Sequence, residues 1–141
     1  MLTSRRSVRV EWGDCDPANI VFFPRYFAWF DASTAHHFEV AGLPKTELIR
    51  KFNVVGFPIV ETRAAFRIPS RHGDAVIIET EFTEFGRTSF KVRHRLMRDG
   101  KLAVEGFETR VLVRASADGS GIQPVQIPDE VKAVFNVNEA E

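Results

Sequence analysis

The sequence predicts an α+β protein in which one long helix packs on a five-stranded antiparallel sheet. Three observations carry this. Residues 5–12 alternate polar and apolar, as a half-buried strand does. Residues 23–41 place Phe23, Phe27, Phe30, Thr34, Phe38 and Ala41 at steps of three and four, which marks one helix face. From Phe57 onward the period changes to two, in four runs divided by turn signals.

The elements follow in order. Arg5–Trp12 reads as a strand and Asp14–Asn19 as a turn. Pro24 suits the first helical position, where its fixed φ is an advantage and its missing N–H costs nothing. The helix runs to about Ala41, with Gly42 to end it and Pro44 beyond. Pro44–Phe52 is a short second helix or turn. Phe57–Pro69, Asp74–Phe85, Thr88–Arg98 and Leu102–Ala115 are rich in Val, Ile, Phe and Thr and read as a four-strand meander. Asp99-Gly100 is a hairpin signal. Ala117–Gly121 is a loop, Pro128–Phe135 a terminal helix, and 136–141 a polar tail expected to fray. The strand Ser89–Leu96 puts Phe90, Val92, His94 and Leu96 on one face and charge on the other. A single helix covers only one face of such a sheet, so pairing with a second copy is the expectation, and a dimer of dimers its extension.

The chain has 141 residues, 44% of them hydrophobic and 27% charged, which fits one globular domain over 1–141. Lys plus Arg and Asp plus Glu each number 19, so no broad positive field exists for nucleic acid. One Cys leaves no intrachain disulfide and no Cys-rich zinc cluster, and points to a reducing, cytoplasmic setting. No stretch is apolar and long enough to span a membrane, and Met-Leu-Thr-Ser-Arg-Arg has neither the apolar run nor the small-residue cleavage site of a secretory leader, so secretion is not expected. Thirteen Phe are expected mostly in the core, with some free to line an acyl pocket.

Residues 14–27 carry the chemistry. Two acids and a proline turn open into an aromatic-rich helix, which sets Asp16 at a helix mouth. Unpaired amides there form a positive pole. A carboxylate beside that pole can serve acyl transfer to water, as nucleophile or as general base, while the pole steadies the oxyanion. The bland alternative is that Asp16-Pro17 is an Asx turn ahead of the helix. Asp14 reads as structural. Cys15 has no nearby base in sequence and reads as a small buried residue. Asp31 lies beside the apolar stripe, either facing solvent or buried with a partner, where it could orient a polar substituent on an acyl group. Arg87 and Ser89 follow a glycine at a strand start; the arginine is either a solvated turn residue or a phosphate ligand. Adjacent His36 and His37 diverge by about 100° on a helix and cannot chelate one metal, and no metal site is expected. His94 reads as a satisfied core or interface residue, and His72 as a turn residue. No Walker loop, Rossmann glycine fingerprint or Gly-x-Ser-x-Gly elbow is present.

Gly13-Asp14-Cys15-Asp16-Pro17-Ala18-Asn19-Ile20-Val21-Phe22-Phe23-Pro24-Arg25-Tyr26 resembles the signature of the 4-hydroxybenzoyl-CoA thioesterase family, of hotdog fold. Pro58-Ile59-Val60 and Arg87-Thr88-Ser89-Phe90 are similar to it as well, and the resemblance covers nearly the whole chain. It implies a sheet wrapped around a long helix, a homodimer with a continuous sheet, often a homotetramer, and sites at the subunit interface. It implies hydrolysis of an acyl-CoA, aromatic and 4-hydroxybenzoyl-like, with no cofactor beyond the coenzyme A of the substrate. Asp16 matches the catalytic carboxylate and the Phe23 N–H the group that polarises the thioester carbonyl. Arg87, Thr88 and Ser89 fall where the family contacts the nucleotide across the interface, and Asp31 matches a helix acid near the acyl pocket. Two features depart from the family: Asn19 stands where Gly is common, and Gly86 and Thr88 stand where the family is more basic. Asn tolerates the left-handed conformation that the turn requires. Two other readings are a hotdog enoyl-CoA hydratase or dehydratase, which would want a His near Asp16 that residues 13–30 lack, and a non-catalytic acyl-CoA binding module.

Overall fold

The computed structural model describes residues 1–135 and 137; the expected fraying of the tail otherwise lies outside the described residues. Five strands form one antiparallel sheet: β1 (Thr3–Arg9), β2 (Ile59–Phe66), β3 (Ala75–Phe85), β4 (Ser89–Arg98) and β5 (Lys101–Val111). Helix α1 (Pro24–Val40) packs on one face, followed by α2 (Lys45–Phe52). A small hairpin of β6 (Val113–Ala115) and β7 (Ile122–Pro124) and a last helix, α3 (Asp129–Phe135), complete the chain. The predicted class and its five-stranded sheet are therefore present. No helix among the described residues is long and apolar enough to cross a membrane.

The sheet order is β1-β3-β4-β5-β2, which corrects the meander. Only β3, β4 and β5 follow one another; β2 lies on the far edge beside β5. The turn signal at Arg71–Asp74 is real, but it meets the end of β1, where Gly73 N–H donates to Val10 O at 2.9 Å, rather than folding β2 onto β3. At the β4–β5 hairpin, Asp99 (φ 51°) and Gly100 (φ 75°) both adopt positive φ, as a two-residue turn matched to strand twist requires.

Other boundaries move for local reasons. The first strand ends at Arg9 rather than Trp12, because Trp12–Asp14 wind into a 3-10 turn closed by Glu11 N–H on Asp14 Oδ2 at 2.9 Å. The last expected strand breaks at Leu112, whose N–H goes to Thr88 O. Beyond it, β6 pairs with β7, a strand that the sequence reading did not anticipate. Helix α1 starts at Pro24 as expected. It ends in a Schellman motif: Leu43 N–H bonds Phe38 O, Gly42 N–H bonds Glu39 O, and Gly42 takes φ 84°.

The buried seam of α1 is Tyr26, Trp29, Phe30, Ser33, Thr34, His37 and Phe38. Phe23 drops out of the predicted stripe, since it precedes the helix and is 57% exposed. Two apolar clusters form the core. One gathers Phe38, Phe57, Phe82, Phe85, Phe90 and Phe135; the other gathers Tyr26, Trp29, Phe30, Ile78, Leu96 and Val104. Seven of the thirteen Phe are buried, so most of the Phe excess is core packing. A polar belt divides the clusters. Thr34 sits between Phe30 and Phe38 on α1, Thr80 between Ile78 and Phe82 on β3, and His94 between Val92 and Leu96 on β4, all buried.

Candidate active site

The segment ahead of α1 is closed by a bridge between Cys15 and Val21. Asp16 N–H donates to Ile20 O, Asn19 N–H to Asp16 O, and Phe22 N–H to Asp14 O. Asn19 takes φ 63°, the left-handed geometry that this tight turn demands and that Asn accepts. Val21 N–H bonds Ser70 O, which ties the loop to the connection before β3. Arg25, on the first turn of α1, reaches back to Gly13 O at 3.4 Å and to Asp14 at 3.7 Å. Cys15 is half-buried rather than buried, its thiol on Glu11 O.

Asp16 is half-buried, and its Oδ1 accepts Ala18 N–H at 2.8 Å. That is an Asx turn, so the bland reading holds as geometry. It uses one carboxylate oxygen; Oδ2 has no protein partner among the described residues. The amides of the helix start are distributed unequally. Pro24 has none, while Arg25 and Tyr26 donate to Phe22 O and Phe23 O at 2.9 and 3.1 Å. The Phe23 N–H meets no protein acceptor among the described residues and is left at the positive pole of the helix. Beside it opens a mostly apolar cleft of about 320 Å³, lined by Ile20, Phe23, Tyr26, Phe66 and Ile68.

A second cleft, of about 440 Å³, lies at the opposite end of β2. Asp31, Lys45, Phe57, Ile59 and Arg110 are on its wall. Asp31 combines the two alternatives set for it: 65% of its side chain is exposed, and its Oδ1 accepts from Arg110 Nη2 at 2.8 Å. Arg110 is buried and also donates to Glu108 Oε1 at 2.8 Å and Phe57 O at 3.1 Å. Glu108 accepts from Thr34 Oγ1 at 2.7 Å and meets His94 Nε2 at 3.2 Å. His94 Nδ1 is 2.8 Å from Thr80 Oγ1. Burial pushes the Glu108 carboxyl up, but His94 and Arg110 outweigh it and hold it at about 2. Burial works against the Arg110 charge, and Glu108 and Asp31 override it, raising its pKa.

This network was missed in the sequence, although a signal for it exists. Glu108 and Arg110 fall in phase with Val104 and Gly106, on the inward side of β5, where two charges need partners. His94 is a satisfied core residue, as expected.

Arg87 and Thr88 lie in the β3–β4 turn, and Ser89 opens β4. Arg87 O accepts Ile127 N–H, Thr88 O accepts Leu112 N–H, and Gly86 N–H bonds Ser89 O. The Arg87 side chain is exposed and makes no ion pair or hydrogen bond among the described residues. The turn is remote from Asp16. The Asp16 loop packs at the Ala75 end of β3 and Arg87 follows its Phe85 end, so eleven strand residues separate them, roughly 30 Å at the usual rise. Arg87 shares its end of the sheet with the start of β2, since Ser89 pairs with Val111 and Val111 N–H bonds Pro58 O. Within one chain the predicted residues thus form two groups: Asp16 with Phe23, and Asp31 nearer Arg87, Thr88 and Ser89.

A family profile described as the thioesterase-like superfamily matches residues 10–135. A 4-hydroxybenzoyl-CoA thioesterase from Pseudomonas sp. (strain CBS-3) is 37% identical over 126 residues, covering 85% of this chain and 88% of the relative. Among solved structures, an Asp-to-Asn mutant of a 4-hydroxybenzoyl-CoA thioesterase, complexed with 4-hydroxybenzoyl-CoA, superposes with a TM-score of 0.88 at 31% identity, covering 95% of this chain and 99% of the other. A gentisyl-coenzyme A thioesterase superposes with a TM-score of 0.79 at 35% identity, covering 94% and 98%.

Proposed function

The chain belongs to the thioesterase-like superfamily and is an acyl-CoA thioesterase of hotdog fold, and from that premise we propose how its residues divide the work. Water cleaves a hydroxylated aromatic acyl-CoA to the free acid and coenzyme A. Asp16 is the nucleophile or general base through its free oxygen, and the Phe23 N–H holds the oxyanion. The observation that carries this is the Phe23 amide, left without a protein partner among the described residues at the helix pole that the turn of half-buried Asp16 leads into. Asp31 accepts a hydrogen bond from a hydroxyl on the acyl group. Arg87, Thr88 and Ser89 receive the nucleotide, where an exposed guanidinium suits phosphate. Coenzyme A is part of the substrate, and the chemistry proposed calls on no metal or further cofactor. The 4-hydroxybenzoyl and gentisyl groups named for the relatives are both hydroxylated aromatic acids, which supports this acyl class. One cysteine fits a cytoplasmic setting.

The working unit we propose is a homodimer joined through β2, paired further into a tetramer. The support is geometric. β2 is an edge strand with seven of its eight residues exposed. Antiparallel pairing of two such edges about a two-fold axis sets the Phe66 end of one against the Ile59 end of the other. The cleft beside Phe23 then faces the partner's cleft with Asp31, and Asp16 faces the partner's Arg87 turn. No single chain offers both groups to one thioester.

The test is thiol release from a panel of aryl- and alkyl-CoA esters, with Asp16→Asn beside the wild type. Asn keeps the shape and the Ala18 bond but is a poor base and nucleophile. The expected result is aryl-CoA turnover, with kcat lowered by about 10²–10⁴ or more in the mutant at unchanged circular dichroism. A mutant as active as the wild type removes Asp16 from the chemistry.

A further inference from the structure

We propose that Arg110 is a positioning residue: from inside the fold it holds the Asp31 carboxylate at the pocket rim and so sets the preference for acyl groups that carry a hydroxyl. This rests on the reading of Asp31 given above and adds what makes Asp31 selective.

Asp31 alone would be a poor recognition element. It projects from a helix with most of its side chain in solvent, free to change rotamer. Arg110 removes that freedom. Its Nε, Nη1 and Nη2 each have an acceptor, on Glu108, Phe57 O and Asp31, from β5, the stretch ahead of β2, and α1. A planar fork held at three points has one orientation. Glu108 is fixed in turn by Thr34 and His94, and His94 by Thr80. The chain of contacts therefore runs from the polar belt of the core to the rim of the 440 Å³ cleft.

If Arg110 served only to neutralise Glu108, its Nε contact would suffice. The Nη2 contact instead reaches outward and occupies Asp31 Oδ1, leaving Oδ2 without a protein partner among the described residues. An ionised carboxylate only accepts hydrogen bonds. A fixed acceptor rewards a donor on the acyl group and penalises its absence, because the acyl group displaces the water that would otherwise satisfy the oxygen.

The experiment measures binding, so it does not depend on turnover. Non-hydrolysable coenzyme A thioethers bearing a 4-hydroxyphenacyl or a phenacyl group are titrated calorimetrically. The proteins are the wild type, Arg110→Lys, and a Glu108→Gln/Arg110→Met double variant that leaves no orphaned buried charge. The wild type is expected to prefer the hydroxylated probe by about tenfold to a hundredfold. In the double variant the ratio is expected to fall to about one through loss of affinity for the hydroxylated probe alone. Arg110→Lys keeps a cation for Glu108 but has no fork, and its ratio is expected to fall at least about fivefold. A folded variant of either kind that keeps the wild-type ratio overturns the role of Arg110 and leaves Asp31 standing. A wild type that binds both probes equally overturns the reading of Asp31, and this proposal with it.

Discussion

Acidifying the protein should weaken it through His37. This histidine is fully buried; its Nδ1 lies 2.7 Å from Ser4 Oγ, and its ring packs on Phe82 and Phe135. Its Nε2 has no partner, and no carboxylate contacts the ring among the described residues. Burial, then the nearby His94 and His36, lower its pKa from 6.5 to about 4. The unfolded chain therefore takes up a proton near pH 6.5 while the folded chain refuses it until about pH 4. Stability is fully present above 6.5 and drains away as the pH falls toward 4. At 1.36 kcal/mol per pH unit, the interval from 6.5 to about 4 corresponds to about 3 kcal/mol. Urea denaturation at half-unit steps from pH 7.5 to 4.5 should show most of that loss in the wild type. His37→Gln, which can still accept from Ser4 but carries no titrating proton, should lose about 2 kcal/mol less over the same range. Parallel curves for the two proteins would refute the assignment, as would an NMR titration placing folded His37 near 6.5.

Two further substitutions probe the core and the nucleotide end. A Cβ on Gly106 would stand 2.5 Å from Phe30 Cε2, whose ring stacks on His94 at 4.8 Å, so Gly106→Ala should cost about 1–3 kcal/mol in urea melts; pairing it with Phe30→Leu should recover part of the loss. Arg87→Ala should raise KM for the coenzyme A ester more than it lowers kcat, with the difference shrinking at high salt. An unchanged KM would remove Arg87 from the nucleotide site.

β1, β3, β4 and β5 were legible because each carries the period of a half-buried surface; on β4 the alternation of Phe90, Val92, His94 and Leu96 with charge survives intact in the burial pattern. Pairing was less legible. A turn signal at Arg71–Asp74 says that the chain bends, and nothing local says that β2 has already been set aside to pair with β5. The Asp16 turn could be read because its geometry is local, carried by Asn19 and Pro24. The Glu108–Arg110 pair escaped because its partners are remote: Asp31 lies 79 residues from Arg110, and Thr34 lies 74 from Glu108. Only the phase of two charges within an apolar strand betrays it.

The separation of Asp16 from Arg87 by the length of β3 has a genetic consequence. On the cross-subunit arrangement, a chain crippled at Asp16 is dead as a homodimer, and one crippled at Arg87 is nearly idle wherever substrate lies far below its raised KM. Co-expressed, they meet in mixed dimers in which one site collects both lesions and the other collects neither. Random association makes half of the dimers mixed, so about a quarter of wild-type activity should return. Two loss-of-function alleles would then complement each other within one gene, whereas two alleles at the same end of the sheet, such as Asp16 with a lesion in the Phe23 turn, would not.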